Sequence, residues 1–184
     1  MGVKVVKFGG SSLAAAEGFR RVKEIIDADD KRRFCVPSAP GKRFSEDTKV
    51  TDLLYRCYSC LQRQLPMDEE FDRVGERYRQ IASDLSLDFD VEGMLEDTRV
   101  KMLDQPTPDF CASRGEYMNG RLLAAYLEAE QRQRDTDSQV AEQIGKVLPV
   151  EKTARFFIAE EKFRRQQIHR LHGKPDSRGS KPQQ

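Results

Sequence analysis

The sequence predicts an α/β fold organised on a parallel sheet. Three observations lead there. Val3-Lys4-Val5-Val6-Lys7-Phe8 is a short valine-rich run that stops at Gly9 and Gly10, as a buried strand does before a sharp turn. Apolar residues then recur at helical spacing. A second short run, Phe34-Cys35-Val36, closes at Pro37. Strand, helix, strand in this order is a βαβ unit, with parallel strands and a right-handed crossover.

The first helix is predicted from Leu13 to Asp29, with Phe19, Val22, Ile25 and Ile26 on its apolar face and Ser11 or Ser12 at its N-cap. Glycines before a helix start let backbone N–H groups approach a ligand, where the positive end of the helix dipole adds to the attraction. Lys7 contributes a formal charge beside them. That combination suits a polyphosphate. It equally fits a tight turn into a capped helix. The segment is neither G-x-x-x-x-G-K-[ST] nor G-x-G-x-x-G.

Ser38-Ala39-Pro40-Gly41-Lys42-Arg43 is a loop at the C-terminal edge of the second strand, where open α/β sheets bind ligands. Lys42 and Arg43 either meet phosphate there or belong to a solvated loop. Val50, Leu53, Leu54, Cys57 and Leu61 keep helical spacing from Thr51 to Gln64, before Pro66. Further helices are predicted over 68–85 and 91–103, as scaffold or lid. Pro106 and Pro108 mark a loop. Ser113 and Glu116 have capping-box spacing, which predicts a helix from there to Ala129.

Composition narrows the function classes. The 184 residues carry a net charge of +1 with 34% charged side chains, so no charge excess argues for nucleic acid. No apolar run approaches the roughly 18 residues of a membrane span. Four cysteines without a secretory segment predict reduced thiols and a cytoplasmic setting. Cys57-x-x-Cys60 with His169-x-x-His172 would supply four zinc ligands, but the pairs are far apart and Cys57 falls on an apolar helix face. No metal ligand is assigned.

Residues 129–184 differ from the rest, with twelve Lys and Arg against eight Asp and Glu. A short helix is predicted over 139–148 and a basic one over 153–171, carrying Phe156, Phe157, Phe163 and Ile168. Disorder is expected after Gly173. Solvated helix faces explain this tail more simply than a lipid or nucleic-acid surface.

Four stretches, in order, bear a family resemblance. They are Lys7-Phe8-Gly9-Gly10-Ser11-Ser12, Val36-Pro37-Ser38-Ala39-Pro40-Gly41-Lys42, Lys49-Val50-Thr51-Asp52-Leu53-Leu54, and Ser113-Arg114-Gly115-Glu116-Tyr117-Met118-Asn119-Gly120. Together they resemble the aspartate kinases of the amino-acid kinase family, over residues 3–127. The resemblance implies a three-layer α/β/α sandwich with a largely parallel sheet, of which 1–128 is the N-terminal part and 129–184 a divergent tail. It implies transfer of the ATP γ-phosphate, with Mg²⁺, to the side-chain carboxylate of L-aspartate, the first step toward lysine, threonine and methionine. Lys7, Phe8, Gly9, Gly10 and Ser11 would hold ATP, with Lys7 catalytic. Thr51 and Glu116 would bind L-aspartate. A catalytically inert N-terminal fragment is the alternative, and a homo-oligomer stays open. A carboxylate acceptor is already ionised at neutral pH, so the absence of a His-centred base is expected.

Overall fold

A computed structural model of the chain describes residues 2–147 together with 152, 154, 155, 157–159 and 161–163. Strand β1 spans Lys4–Phe8 and is followed by a 3₁₀ turn over Gly10–Leu13. Helix α1 covers Ala16–Asp27 and strand β2 covers Arg32–Pro37. Four helices follow: α2 Val50–Gln62, α3 Asp68–Asp84, α4 Val91–Asp104 and α5 Pro108–Val147. The chain divides into two compact units, 1–131 and 132–184.

The βαβ expectation holds. β1 and β2 pair in parallel, in register from Val5↔Phe34 to Phe8↔Pro37, with an irregularity between Lys4 and Val5. The period-two alternation of strands sorts their side chains. Val6, Phe8 and Cys35 turn toward the core. The opposite face carries Val5 at 67% exposure, Phe34 at 61% and Val36 at 48%, with Lys7 beside them. The core of the first unit is mostly helical. Phe19 meets the edge of Tyr126 at 6.4 Å, and Val50, Leu54, Cys57, Tyr78 and Leu122 are fully enclosed.

Two helix starts differ from the sequence reading. The chain leaves Gly9 into a 3₁₀ turn, and α1 begins only at Ala16, with neither Ser11 nor Ser12 as its cap. The dipole of α1 therefore does not start at the glycines. Helix α5 begins at Pro108, before the Ser113–Glu116 pair. The Thr107 hydroxyl accepts from Phe110 N at 3.2 Å, so Thr107 and Pro108 form the true start. The Ser113 hydroxyl instead donates back to Phe110 O at 2.7 Å within the helix.

Helix α5 also runs past Ala129 to Val147, through the segment read as a separate short helix. In the second unit none of the described residues is buried. Pairs one turn apart, such as Lys146 with Glu142 at 2.7 Å, suit a polar helix. The basic helix falls only partly on described residues, which are helical where given. His169, His172 and everything after Gly173 lie outside them. No helix among the described residues is long and apolar enough to cross a membrane.

Helices α2 and α3 end alike. Leu65 N donates to Cys60 O at 2.9 Å and Gln64 N to Leu61 O at 3.0 Å. Leu87 N donates to Ala82 O at 3.0 Å and Ser86 N to Ser83 O at 2.9 Å. These are Schellman closures, which place one residue in the left-handed region. Here those residues are Gln64 at φ 57° and Ser86 at φ 51°, where glycine is the low-cost choice. Gln64→Gly and Ser86→Gly are each expected to stabilise the first unit by about 1 kcal/mol. A urea midpoint that stays put or falls in both variants would refute that account of the helix ends.

Candidate functional site

The turn after β1 and the loop after β2 lie backbone to backbone. Ser38 N donates to Phe8 O at 2.9 Å, and Gly41 N donates to Gly10 O at 2.8 Å. A Cβ on Gly10 would come within 2.7 Å of Ala39 O, and one on Gly41 within 2.7 Å of the Gly10 carbonyl carbon. Both positions therefore need glycine for closeness of approach. Helix α5 comes as near from another side. A Cβ on Gly115 would meet Ala39 Cβ at 2.8 Å, and Asn119 Nδ2 donates to Ser38 O at 2.6 Å. The Tyr78 hydroxyl donates to Gly115 O at 2.8 Å and ties α5 to α3.

These contacts leave a cleft of about 480 Å³. Gly10 and Ser11 line it from the turn, Ser38 to Lys42 and Lys49 from the loop, Thr51 from the start of α2, and Glu116 from α5. Of the residues singled out in the sequence, Gly10, Ser11, Thr51 and Glu116 thus share one cavity. Phe8 and Ser11 line a neighbouring cleft of about 350 Å³ that also holds Lys42 and Arg43. Lys7 and Gly9 line neither. Lys7 stands on the exposed sheet face opposite Val36 in the ladder, and Gly9 is the extended residue ahead of the 3₁₀ turn.

The charges in the main cleft are mixed. Lys42 Nζ donates to Ser45 O at 3.0 Å. Lys49 and Glu116 form no ion pair among the described residues, and neither does Lys7. Thr51 lies in the first turn of α2, where Val50 N donates to Pro40 O and Asp52 N and Leu53 N to Lys49 O, so it is the helix dipole, not a set of open N–H groups, that favours an anion there. The helix-dipole argument made for α1 therefore applies to α2. Two cations, a helix start and one carboxylate suit a ligand carrying both negative charge and an ammonium group.

Behind the cleft sits an ion pair that the sequence reading missed. Arg77 of α3 is 4% exposed, and its Nη2 lies 2.6 Å from Asp47 Oδ2. Asp47 also takes Arg43 Nε at 2.9 Å and Arg43 Nη2 at 3.0 Å. Hydrogen bonding from Arg43, reinforced by the charges of Arg77 and Arg43, holds the Asp47 carboxyl far below the usual carboxylate range, against the opposing effect of burial. Burial pulls the Arg77 guanidinium down. A signal existed: Arg77 falls three residues after Val74 on the apolar stripe of α3, where a charge needs a partner.

Of the four residues of the cysteine alternative, Cys57 and Cys60 are among the described residues and His169 and His172 are not. Cys57 is buried, and burial pushes its thiol up to about 12, the state of an inert core residue. No group of three or more His, Cys, Asp or Glu among the described residues is placed to hold a metal.

The family model described as Amino acid kinase family matches residues 2–159. The chain belongs to the amino acid kinase family. The match continues beyond Leu127, where the recognisable motifs stop. The chain is 40% identical over 131 residues to Aspartokinase 3 of Bacillus subtilis (strain 168), covering 68% of this chain and 29% of that protein. It is 31% identical over 133 residues to the chloroplastic Aspartokinase 2 of Arabidopsis thaliana, covering 67% and 24%.

Among solved structures, the Clostridium acetobutylicum aspartate kinase matches with a TM-score of 0.65 and 46% identity, over 67% of this chain and 29% of that one. The E. coli aspartokinase III, solved in complex with aspartate and ADP, matches with a TM-score of 0.53 and 25% identity, over 72% and 29%. The small parallel sheet and its helices are thus part of the α/β fold of this family. The chain spans about 29% of the length of the bacterial relative.

Two outcomes follow. Gly41→Ala forces backbone against backbone and is expected to cost about 2 kcal/mol in urea unfolding; a cost near zero would mean that the glycine contact is not tight. Asp47 has a lowered folded-state pKa. Its contribution is complete above the unfolded carboxylate value of about 3.9 and is lost as the pH falls below it. The stability gap between the wild-type chain and Asp47→Asn should therefore narrow from about pH 7 to about pH 3. A gap that widens toward acid would have the wrong sign.

Proposed function

We propose that the chain carries the aspartate-binding and phosphate-binding part of an aspartate kinase. The observation that supports this most is the single cleft shared by Gly10, Ser11, Thr51 and Glu116, with Lys42 and Lys49 on its rim. Similarity to aspartokinases over two-thirds of the chain supports the same reading. In it, residues 1–128 are the N-terminal part of the kinase domain and 129–184 a divergent basic tail. The family model matches as far as residue 159, so the divergence proposed for 129–184 is one of motifs.

The reaction asks little acid–base chemistry of the protein. A side-chain carboxylate oxygen of L-aspartate attacks the γ-phosphorus of ATP, the bond to the β-phosphate oxygen breaks, and ADP departs. No proton moves, because the acceptor is ionised at the start. Catalysis then rests on alignment and on neutralising charge. Glu116 pairs with the substrate ammonium, and Thr51 hydrogen-bonds beside it. Phe8, Gly9, Gly10 and Ser11 receive the phosphate side. Lys7 lines neither cleft, and the resemblance alone gives it the charge offered to the transferring group.

Mg²⁺, when bound with ATP, supplies further neutralisation of the phosphates. Among the described residues Glu116 is the one carboxylate that lines the cleft, and the ion would enter with the nucleotide. The product, 4-phospho-L-aspartate, would feed lysine, threonine and methionine synthesis. Free thiols at all four cysteines fit a reducing, cytoplasmic compartment.

The test is direct. The 184-residue chain is incubated with MgATP and L-aspartate, and the acyl phosphate is trapped with hydroxylamine. Hydroxamate should form, and Lys7→Ala should lower its rate by about a hundredfold. Glu116→Gln should raise the KM for aspartate by about tenfold or more with a smaller effect on ATP, since a charged hydrogen bond is lost. Hydroxamate indifferent to both substitutions would remove these residues from the site. A folded chain that binds aspartate but forms none would favour the inert reading.

A further inference from the structure

We propose that Arg77 is a positioning residue for the cleft, holding the 41–48 segment so that Lys42 and Lys49 face the ligand. The inference rests on the reading of the cleft as a ligand site.

The hydrogen bonds of the Arg77 guanidinium all end on this one loop. Nη1 donates to Gly41 O at 2.6 Å, and Nη2 donates to Asp47 Oδ2 at 2.6 Å and to Thr48 O at 3.2 Å. The fork thus spans both ends of the segment that contains Lys42, and Thr48 O directly precedes Lys49. Gly41 is held from two sides, because its N–H already donates to Gly10 O at 2.8 Å. The next peptide junction is fixed as well, since Val50 N donates to Pro40 O at 3.1 Å. Arg77 itself lines no part of the main cleft. It acts through the loop.

The chemistry of the side chain fits this role. Burying a guanidinium costs desolvation that one carboxylate seldom offsets, and a well-packed apolar residue often serves stability as well. Arg77 is nevertheless enclosed, and its planar fork is what lets one side chain hold two carbonyls and a carboxylate together. A lysine in its place keeps the charge toward Asp47 but presents a single nitrogen. It cannot reproduce the span.

Arg77→Lys and Arg77→Met are compared with the wild-type 184-residue chain by amide hydrogen exchange and by titration with L-aspartate. In Arg77→Lys the amides of Gly41 and Val50 should exchange about tenfold faster or more, while the β1–β2 ladder amides keep their wild-type protection. Arg77→Met should show the same local pattern more strongly if it folds. Affinity for L-aspartate should fall by about tenfold in Arg77→Lys.

Unchanged exchange at Gly41 and Val50 would overturn the proposal. So would a common acceleration of every amide, which marks a purely global stabilising role. If the wild-type chain takes up no aspartate, the functional reading fails, and the exchange pattern still decides whether Arg77 sets the loop.

Discussion

The peptide groups of Gly10 and Gly41 touch, and the site is arranged around that touch. Each glycine excludes a Cβ by under 3 Å from the backbone of the other segment, and one hydrogen bond joins them. Because the contact is backbone to backbone, neither side can yield by changing a rotamer. It sets how far the turn after β1 stands from the loop after β2. It thereby sets the distance between Ser11 on one wall and Lys42 on the other. Gly115 continues the same logic on α5, where a missing side chain lets Glu116 approach the loop.

Around this joint the polar groups are few and committed. Arg77, Thr98 and Asn119 are the buried polar or charged residues among those described. Arg77 and Asn119 both donate to backbone carbonyls of the loop, from two different helices. Thr98 merely turns its hydroxyl back to Met94 O at 2.8 Å. An isolated buried polar group is costly, so one expects each to be matched. That two of the three are matched on one loop marks the loop as the part whose geometry the core is built to hold. Asn119 Oδ1 is the exception, with no partner among the described residues.

Local signals carried the fold well where they were unambiguous. The valine run, the glycine pair and Pro37 specified β1 and β2, and the parallel pairing follows from one helical crossover. The apolar stripes located α3 and α4 within a residue or so. The start of α5 was misread because Ser113 and Glu116 imitate a capping box, whereas Thr107-Pro108 was the working signal. In the site, Gly10, Ser11, Thr51 and Glu116 could be named from motifs. The Arg77–Asp47 pair was legible only in half: the apolar stripe of α3 points to Arg77 as enclosed, but its partner lies 30 residues away and spacing does not name it.

The outward side of the two-stranded sheet has a practical bearing. Val5, Phe34 and Val36 form a row that water meets directly in the native state. Environment-sensitive dyes that brighten on hydrocarbon would find a landing place before any unfolding begins. A melting curve followed by such a dye would start from a raised baseline, and circular dichroism gives the cleaner record of this chain's transition.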